Sequence, residues 1–203
     1  MSLQAVFFDL DGVLTPDRTG TLTTCRYLAQ ATGIAFDTWR AAFEPHRAAL
    51  LRGEATRDAT WPRVCEVVGR DVPRELLVRA FESTPLDAAM FAFANSLARR
   101  RRVGIITDNP KDRMDAVRRS LWLDRVFEPI VVSAEEGCAK DDPVLFGRAL
   151  ARAGVAAGDA AFVDNRQENV DVARGAGLHA IFFDDGKRDL AALARELVVL
   201  GAA

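Results

Sequence analysis

The run Ala5-Val6-Phe7-Phe8-Asp9-Leu10-Asp11-Gly12-Val13 constrains this chain most. Val6-Phe7-Phe8 has no polar alternation and reads as a strand buried on both faces, the kind found in parallel sheets. Ligands of such sheets gather at the carboxyl ends of the strands, so Asp9 and Asp11 are expected at the edge where chemistry occurs. Two carboxylates this close repel each other unless something positive sits beside them. A divalent cation is the simplest answer, and hard oxygen donors suit Mg²⁺. An isolated Asp-x-Asp-Gly is equally a plain turn, because Asp and Gly are common turn residues. The weight therefore falls on what the rest of the chain brings to the same edge.

With 203 residues the chain holds one domain, or a domain with a smaller insertion. Its 27 Lys+Arg against 29 Asp+Glu leave no basic footprint for nucleic acid. The basic residues are mostly arginine, and the only lysines are Lys111, Lys140 and Lys187. The run Arg99-Arg100-Arg101-Arg102 reads as a solvated helix end, where the dipole favours cations. Cys25, Cys65 and Cys138 are scattered with no C-x-x-C pair, which fits a reducing, cytoplasmic setting. No basic leader precedes an apolar core, and no stretch of about 20 apolar residues could span a membrane. Monomer and homodimer are both left open.

From Thr21 to about Ser83 the texture is helical. Leu22, Cys25, Leu28 and Ala29 recur at helical spacing, and Asp37 can cap a helix holding Trp39, Ala42 and Phe43. Pro45 should end or kink that helix, and a short piece from His46 to Leu51 stops at Gly53. Thr56–Val68 and Pro73–Phe81 follow as two more. Trp39, Phe43 and Trp61 read as the core of this insertion. Beyond Pro85 helices alternate with buried strands. Met90–Arg100, Lys111–Leu121, Pro143–Ala153 and Glu168–Ala176 are helices. Val103–Asp108, Ile130–Ser133, Ala160–Asn165 and His179–Phe183 are strands, and 134–142 is a loop. This alternation predicts an α/β doubly wound parallel sheet with right-handed crossovers. Residues 1–14 and 86–203 would form it, and residues 15–85 would be an inserted helical domain.

The strand ends carry polar groups in order: Asp9 and Asp11, then Thr107, then Lys140 from the loop after the third strand, then Asp164 and Asn165. In a parallel sheet all fall on one edge. In this the chain resembles the haloacid dehalogenase-like (HAD) hydrolase superfamily, with a small helical cap after the first strand. Asp9-Leu10-Asp11-Gly12-Val13, Ile105-Ile106-Thr107-Asp108-Asn109, Lys140 with Asp142-Pro143, and Phe162-Val163-Asp164-Asn165 with Asn169 match its four motifs. The resemblance covers nearly the whole chain and implies an aspartyl-phosphate mechanism. Asp9 would be the nucleophile and Asp11 the general acid and then base. Thr107 would donate to a phosphoryl oxygen, and Lys140 would neutralise nucleophile and phosphate as a point charge. Mg²⁺ would be held by Asp9, by the Asp11 carbonyl and by Asp164/Asn165.

Three positions depart from the family pattern. Asn165 stands where a second acid is usual and adds no charge to a metal site. Asp108 stands where Asn is common, so it faces a cationic substrate group or points away. Asp141 replaces a common proline and could pair with Lys140. In the cap, Arg40, His46, Arg47, Arg52 and Glu54 are the candidates for selecting the leaving group, with Gly53 allowing a tight loop toward the core; Asn109 joins Asp108 as a substrate contact. The expected function is a Mg²⁺-dependent phosphatase acting on a small phosphorylated metabolite such as a sugar phosphate. The alternatives are a phosphomutase, a phosphometabolite-binding protein with little or no turnover, and a 2-haloacid dehalogenase. Asp11 counts against the last, because a halide needs no acid to leave.

Overall fold

A computed structural model describes residues 3–201. Five parallel strands form one sheet in the order β3-β2-β1-β4-β5. They are β1 (Ala5–Phe8), β2 (Arg102–Thr107), β3 (Ile130–Val132), β4 (Ala160–Asp164) and β5 (His179–Phe182). The first two crossovers run outward from β1, and the third returns past it to β4. The chain therefore changes direction between β1 and β4, the point where such sheets place their ligands. The register sets Phe8 beside both Ile105 and Val163. Asp9, Thr107 and Asp164 consequently emerge together at one edge, Asp9 tied there by its N–H donating to the Val163 carbonyl at 2.9 Å.

Alternating side chains feed two cores, as strand geometry requires. Val6, Phe8, Ile105 and Val163 pack under α6 (Ala88–Leu97), α7 (Lys111–Leu121) and the terminal helix α11 (Leu190–Val199). Ala5, Phe7, Ile106 and Phe162 pack under α9 (Pro143–Ala153) and α10 (Gln167–Gly175). α11 has no counterpart in the sequence reading. Ser133, read as the last residue of the third strand, and 134–136, read as the start of the loop after it, form the short helix α8 (Ser133–Glu136).

Between β1 and α6 lie α1 (Gly20–Thr32), α2 (Phe36–Phe43), α3 (Arg47–Leu51), α4 (Arg57–Val68) and α5 (Arg74–Glu82). They close around a third core in which Trp39 stacks on Trp61 at 6.1 Å and lies 5.9 Å from Phe43. Asp37 lies within the first turn of α2 rather than at its cap, which is Ala35. Pro45 interrupts α2 with one tight turn, Glu44–His46, before α3 begins. Thr56 caps α4 by accepting from the Ala59 N–H.

The two strands of chain that enter and leave this helical insertion are pinned by one residue. Arg188 donates to the carbonyls of Gly12 at 2.9 Å and Val13 at 2.8 Å on the way in, and pairs with Asp87 at 2.8 Å on the way out. Asp87 also caps α6 by accepting from the Met90 N–H. Its burial is outweighed by that bond and by Arg188, which hold its carboxyl below the usual carboxylate range.

Candidate active site

Asp9 ends β1, and its Oδ1 accepts from the N–H of Leu10 at 2.7 Å. Its Oδ2 lies 2.8 Å from Lys140 Nζ, which also reaches Asp164 Oδ2 at 2.6 Å. The three side chains are buried, with Lys140 2% and Asp164 0% exposed. Burial pushes the Asp9 carboxyl up to about 7 against the pull of Lys140, and the charges of Asp164 and Asp11 push the same way as burial. Burial works against the Lys140 ammonium, but Asp164, Asp9 and Asp108 outweigh it and raise its pKa. Lys140 is thus the fixed cation of the site. The turn that carries it is set by Asp108, whose Oδ1 accepts from the Lys140 N–H at 2.9 Å. Asp108 lines the cavity as the sequence reading allows, and one of its oxygens is committed to this backbone bond.

Asp11 follows in an irregular turn in which Gly12 takes φ +84°, open to glycine. A Cβ at Gly12 would lie 2.1 Å from Asn165 Nδ2, so this glycine also makes room for the end of β4. The Asp11 carboxylate is gripped by a residue that sequence reasoning missed. Arg113, on the first turn of α7, donates to both of its oxygens at 2.8 Å, the bidentate fork that arginine makes well. Asn109 donates to Asp11 at 3.1 Å and to the Thr107 hydroxyl at 2.8 Å, while its own carbonyl accepts from Arg113. Thr107 Oγ1 is therefore an acceptor toward Asn109, which leaves its hydrogen for a ligand. Gly20, at the start of α1, leaves space for Arg113: a Cβ there would lie 2.0 Å from the guanidinium carbon. The signal for Arg113 was its face. It shares the buried side of α7 with Ala116 and Val117, where a surface arginine does not belong.

Two carboxylates, Asp9 and Asp164, and the Asn165 amide converge beside the Asp11 backbone. Among the described residues no three carboxylate, imidazole or thiolate groups are placed to hold one metal ion, and the Asp11 side chain is turned to Arg113. The donors present are nonetheless hard oxygens of the kind Mg²⁺ takes while keeping part of its water. Asn165 Nδ2 is buried with no partner. A half-turn of the amide exchanges that nitrogen for an oxygen, so the orphaned end is a place for a ligating oxygen. The donor set fits a magnesium ion.

Above this edge the insertion closes a cavity of about 90 Å³, lined by the residues described and by cap residues. Of the cap candidates, only Arg47 lines it. His46 does not: Glu44, Arg47 and Leu51 follow helical spacing on the cavity side, and His46 falls off that face. Arg52 is corrected too. It donates to Asp141 at 2.7 Å, so both are spent on a contact between cap and core rather than on substrate or on Lys140. Arg40 pairs with Asp37 on the exposed side of α2, and Glu54 is exposed off the cavity. Arg18 and Arg57 line the cavity and were not anticipated.

Gly53, at φ +68°, presses on the core loop: a Cβ there would lie 2.2 Å from the Ala134 carbonyl oxygen. Gly53→Ala is expected to push the cap loop off α8. Backbone amides of α3 and of the loop to α4 should then exchange about tenfold faster, roughly 1.4 kcal/mol of local stability. Unchanged exchange would mean the contact does not hold the cap closed.

Comparison with known proteins identifies the family and the fold. The chain matches the haloacid dehalogenase-like hydrolase family over residues 3–177. A HAD family enzyme from Bacteroides thetaiotaomicron, solved as a magnesium complex, superposes with a TM-score of 0.77 at 20% identity, over 96% of this chain and 100% of that one. L-2-haloacid dehalogenase from Xanthobacter autotrophicus superposes with a TM-score of 0.68 at 19% identity, over 99% and 84%. At these identities the likeness is one of fold. Among curated proteins, phosphoserine phosphatase of Thermus thermophilus is 46% identical over 63 residues, 30% of this chain and 25% of that protein. Glyceraldehyde 3-phosphate phosphatase of Pyrococcus abyssi is 35% identical over 88 residues, 42% of this chain and 37% of that protein. This chain thus spans well under half the length of either relative in the matched region. No helix among the described residues is long and apolar enough to cross a membrane.

Proposed function

The chain belongs to the haloacid dehalogenase-like hydrolase family, and on that premise we propose that it is a Mg²⁺-dependent phosphatase of small phosphorylated metabolites working through a phosphoryl group carried on Asp9. The single observation that carries this reading is the Asp9–Lys140–Asp164 chain at the sheet edge, with its contacts of 2.8 and 2.6 Å. A buried carboxylate held by one fixed ammonium is a nucleophile whose partner also neutralises an arriving phosphate. The names of the two curated relatives support a phosphate ester as substrate.

Asp9 Oδ2 attacks phosphorus, the P–O bond to the leaving group breaks, and an acyl phosphate forms. Thr107 donates its free hydrogen to a phosphoryl oxygen. Lys140 offsets the charge that accumulates between nucleophile and phosphate. Asp11 leaves the fork of Arg113, takes up a proton from solvent and gives it to the leaving oxygen, and it then takes a proton from the water that releases phosphate. Arg113 and Asn109 set where Asp11 waits between these roles. Asp9, Asp164, Asn165 and the Asp11 carbonyl would hold Mg²⁺, which when bound adds charge neutralisation at the phosphoryl group. Three free, buried cysteines suit a reducing cytoplasm.

Purified protein should release phosphate from 4-nitrophenyl phosphate and from at least one small metabolite ester in the presence of Mg²⁺. Chelation should abolish the release, and added Mg²⁺ should restore it. Full activity in excess chelator, or no release from any phosphate ester with Mg²⁺, would end this reading.

A further inference from the structure

Arg57 opens α4 and lines the cavity from the cap side. Its Nε and one terminal nitrogen are fully buried and donate to nothing among the described residues. Its guanidinium lies on the Phe43 ring, 4.9 Å from the centroid. The carboxylates that could balance it are engaged elsewhere: Asp112 with Arg74 at 2.8 Å, and Asp11 with Arg113. Burial lowers its pKa to about 10 with Asp112 opposing, and Arg74 and Arg113 add to the lowering. It remains a cation at neutral pH.

A buried cation with unmade hydrogen bonds costs the fold, and an apolar side chain would cover Phe43 without that cost. The two buried cations of the core side each have a carboxylate: Lys140 has two, and Arg113 has Asp11. Arg166, which also lines the cavity from the core, is exposed to solvent. The transferred phosphoryl group is served by that set. The cap cations Arg18, Arg47 and Arg57 face Glu44 as the one cap acid on the cavity, and Arg57 alone among them has buried, unused donors.

We propose that the substrate carries a second anionic group, a carboxylate or a second phosphate, on its leaving-group side, and that Arg57 binds it. This rests on the reading of the core site as a phosphatase.

The test is calorimetry with phosphonates, which cannot be turned over, in Mg²⁺ buffer: 4-phosphonobutanoate, propane-1,3-diylbisphosphonate and butylphosphonate. At least one of the probes with a second anionic group should bind about 100-fold tighter than butylphosphonate, the scale of a desolvated, hydrogen-bonded charge pair. Whichever of the two binds tighter tells carboxylate from phosphate. Arg57→Gln should erase the preference, and Arg57→Lys should keep part of it. Arg57→Gln should melt no lower than the wild type, since it removes an unbalanced buried charge.

A wild type without preference, or a preference that survives Arg57→Gln, would overturn the assignment. So would an equal loss for all three probes, which would place Arg57 on the transferred phosphoryl group. A fall of more than about 5 °C in Tm in Arg57→Gln would show that the guanidinium works for the fold, and would overturn it as well. Hydrolysis of aryl phosphate alongside a missing preference separates failure of this proposal from failure of the phosphatase reading. Failure of every phosphonate to bind overturns both.

Discussion

Asp9→Asn is expected to lower kcat for an aryl phosphate by at least about 10⁴-fold, the scale of losing a catalytic nucleophile, while leaving the fold intact. The amide matches the carboxylate in shape: with its oxygen toward the Lys140 ammonium it keeps that bond and gives up the one from the Leu10 N–H. Lys140 keeps Asp164 at 2.6 Å. The sign of the stability change follows from the carboxyl itself. Burial raises its pKa to about 7, above its value in an unfolded chain, so the folded protein binds that proton more tightly. The metal-free protein therefore loses stability from this group as pH rises from about 4 to about 7. Asn removes a charge that is costly above that range. At pH 8 and without metal, the variant should melt at or above the wild-type temperature. Phosphate-release assays and calorimetry on one preparation check both halves. Turnover at wild-type rates would remove Asp9 from the chemistry.

Lys140→Met is expected to have the largest effect on stability. It leaves Asp9 and Asp164 buried without their shared cation. Breaking a buried ion pair from one side costs about 3–5 kcal/mol, and here one ammonium serves two carboxylates. The deficit should be greatest above pH 7 and shrink as pH falls, because protonating Asp9 relieves the repulsion. Urea unfolding at pH 5.5 and pH 8 measures this. A deficit under about 1 kcal/mol at pH 8 would mean the ammonium is not what holds the two acids together. Activity should be lost in this variant too, since no other lysine lines the cavity.

Much of this arrangement was legible in the sequence, for a physical reason. A strand buried on both faces has to be apolar throughout, so the abrupt arrival of Asp9, Thr107 and Asp164 after Phe8, Ile106 and Val163 marks where each strand leaves the core. Parallel connections then put those ends on one edge. The rest was hidden because it depends on which way long side chains turn. Arg113 sits in a helix with Arg118 and Arg119, and only its place on the face of Ala116 and Val117 separates it from them; that it turns to Asp11 is not written in the spacing. Arg52 and Arg57 flank the same cap loop, yet one is spent on Asp141 and the other has no carboxylate partner among the described residues. Arg188 belongs to a loop after β5 whose contacts with Gly12 and Asp87 span 176 and 101 residues, a closeness that local periodicity does not encode. Asp108 looked like a group that would repel phosphate; its bond to the Lys140 N–H gives it a local duty instead.

The most direct test is to trap the phosphoryl group on the protein. A metabolite or aryl phosphate is mixed with enzyme and Mg²⁺ and quenched in acid within one turnover. The acyl phosphate is then reduced with borohydride, and the peptides are sequenced by mass spectrometry. Reduction at Asp9, dependent on substrate and absent in Asp9→Asn, is the expected result. An active enzyme whose Asp9 peptide is never modified, or whose label falls on another residue, would contradict the covalent route and the convergence of Thr107, Lys140 and Asp164 upon it.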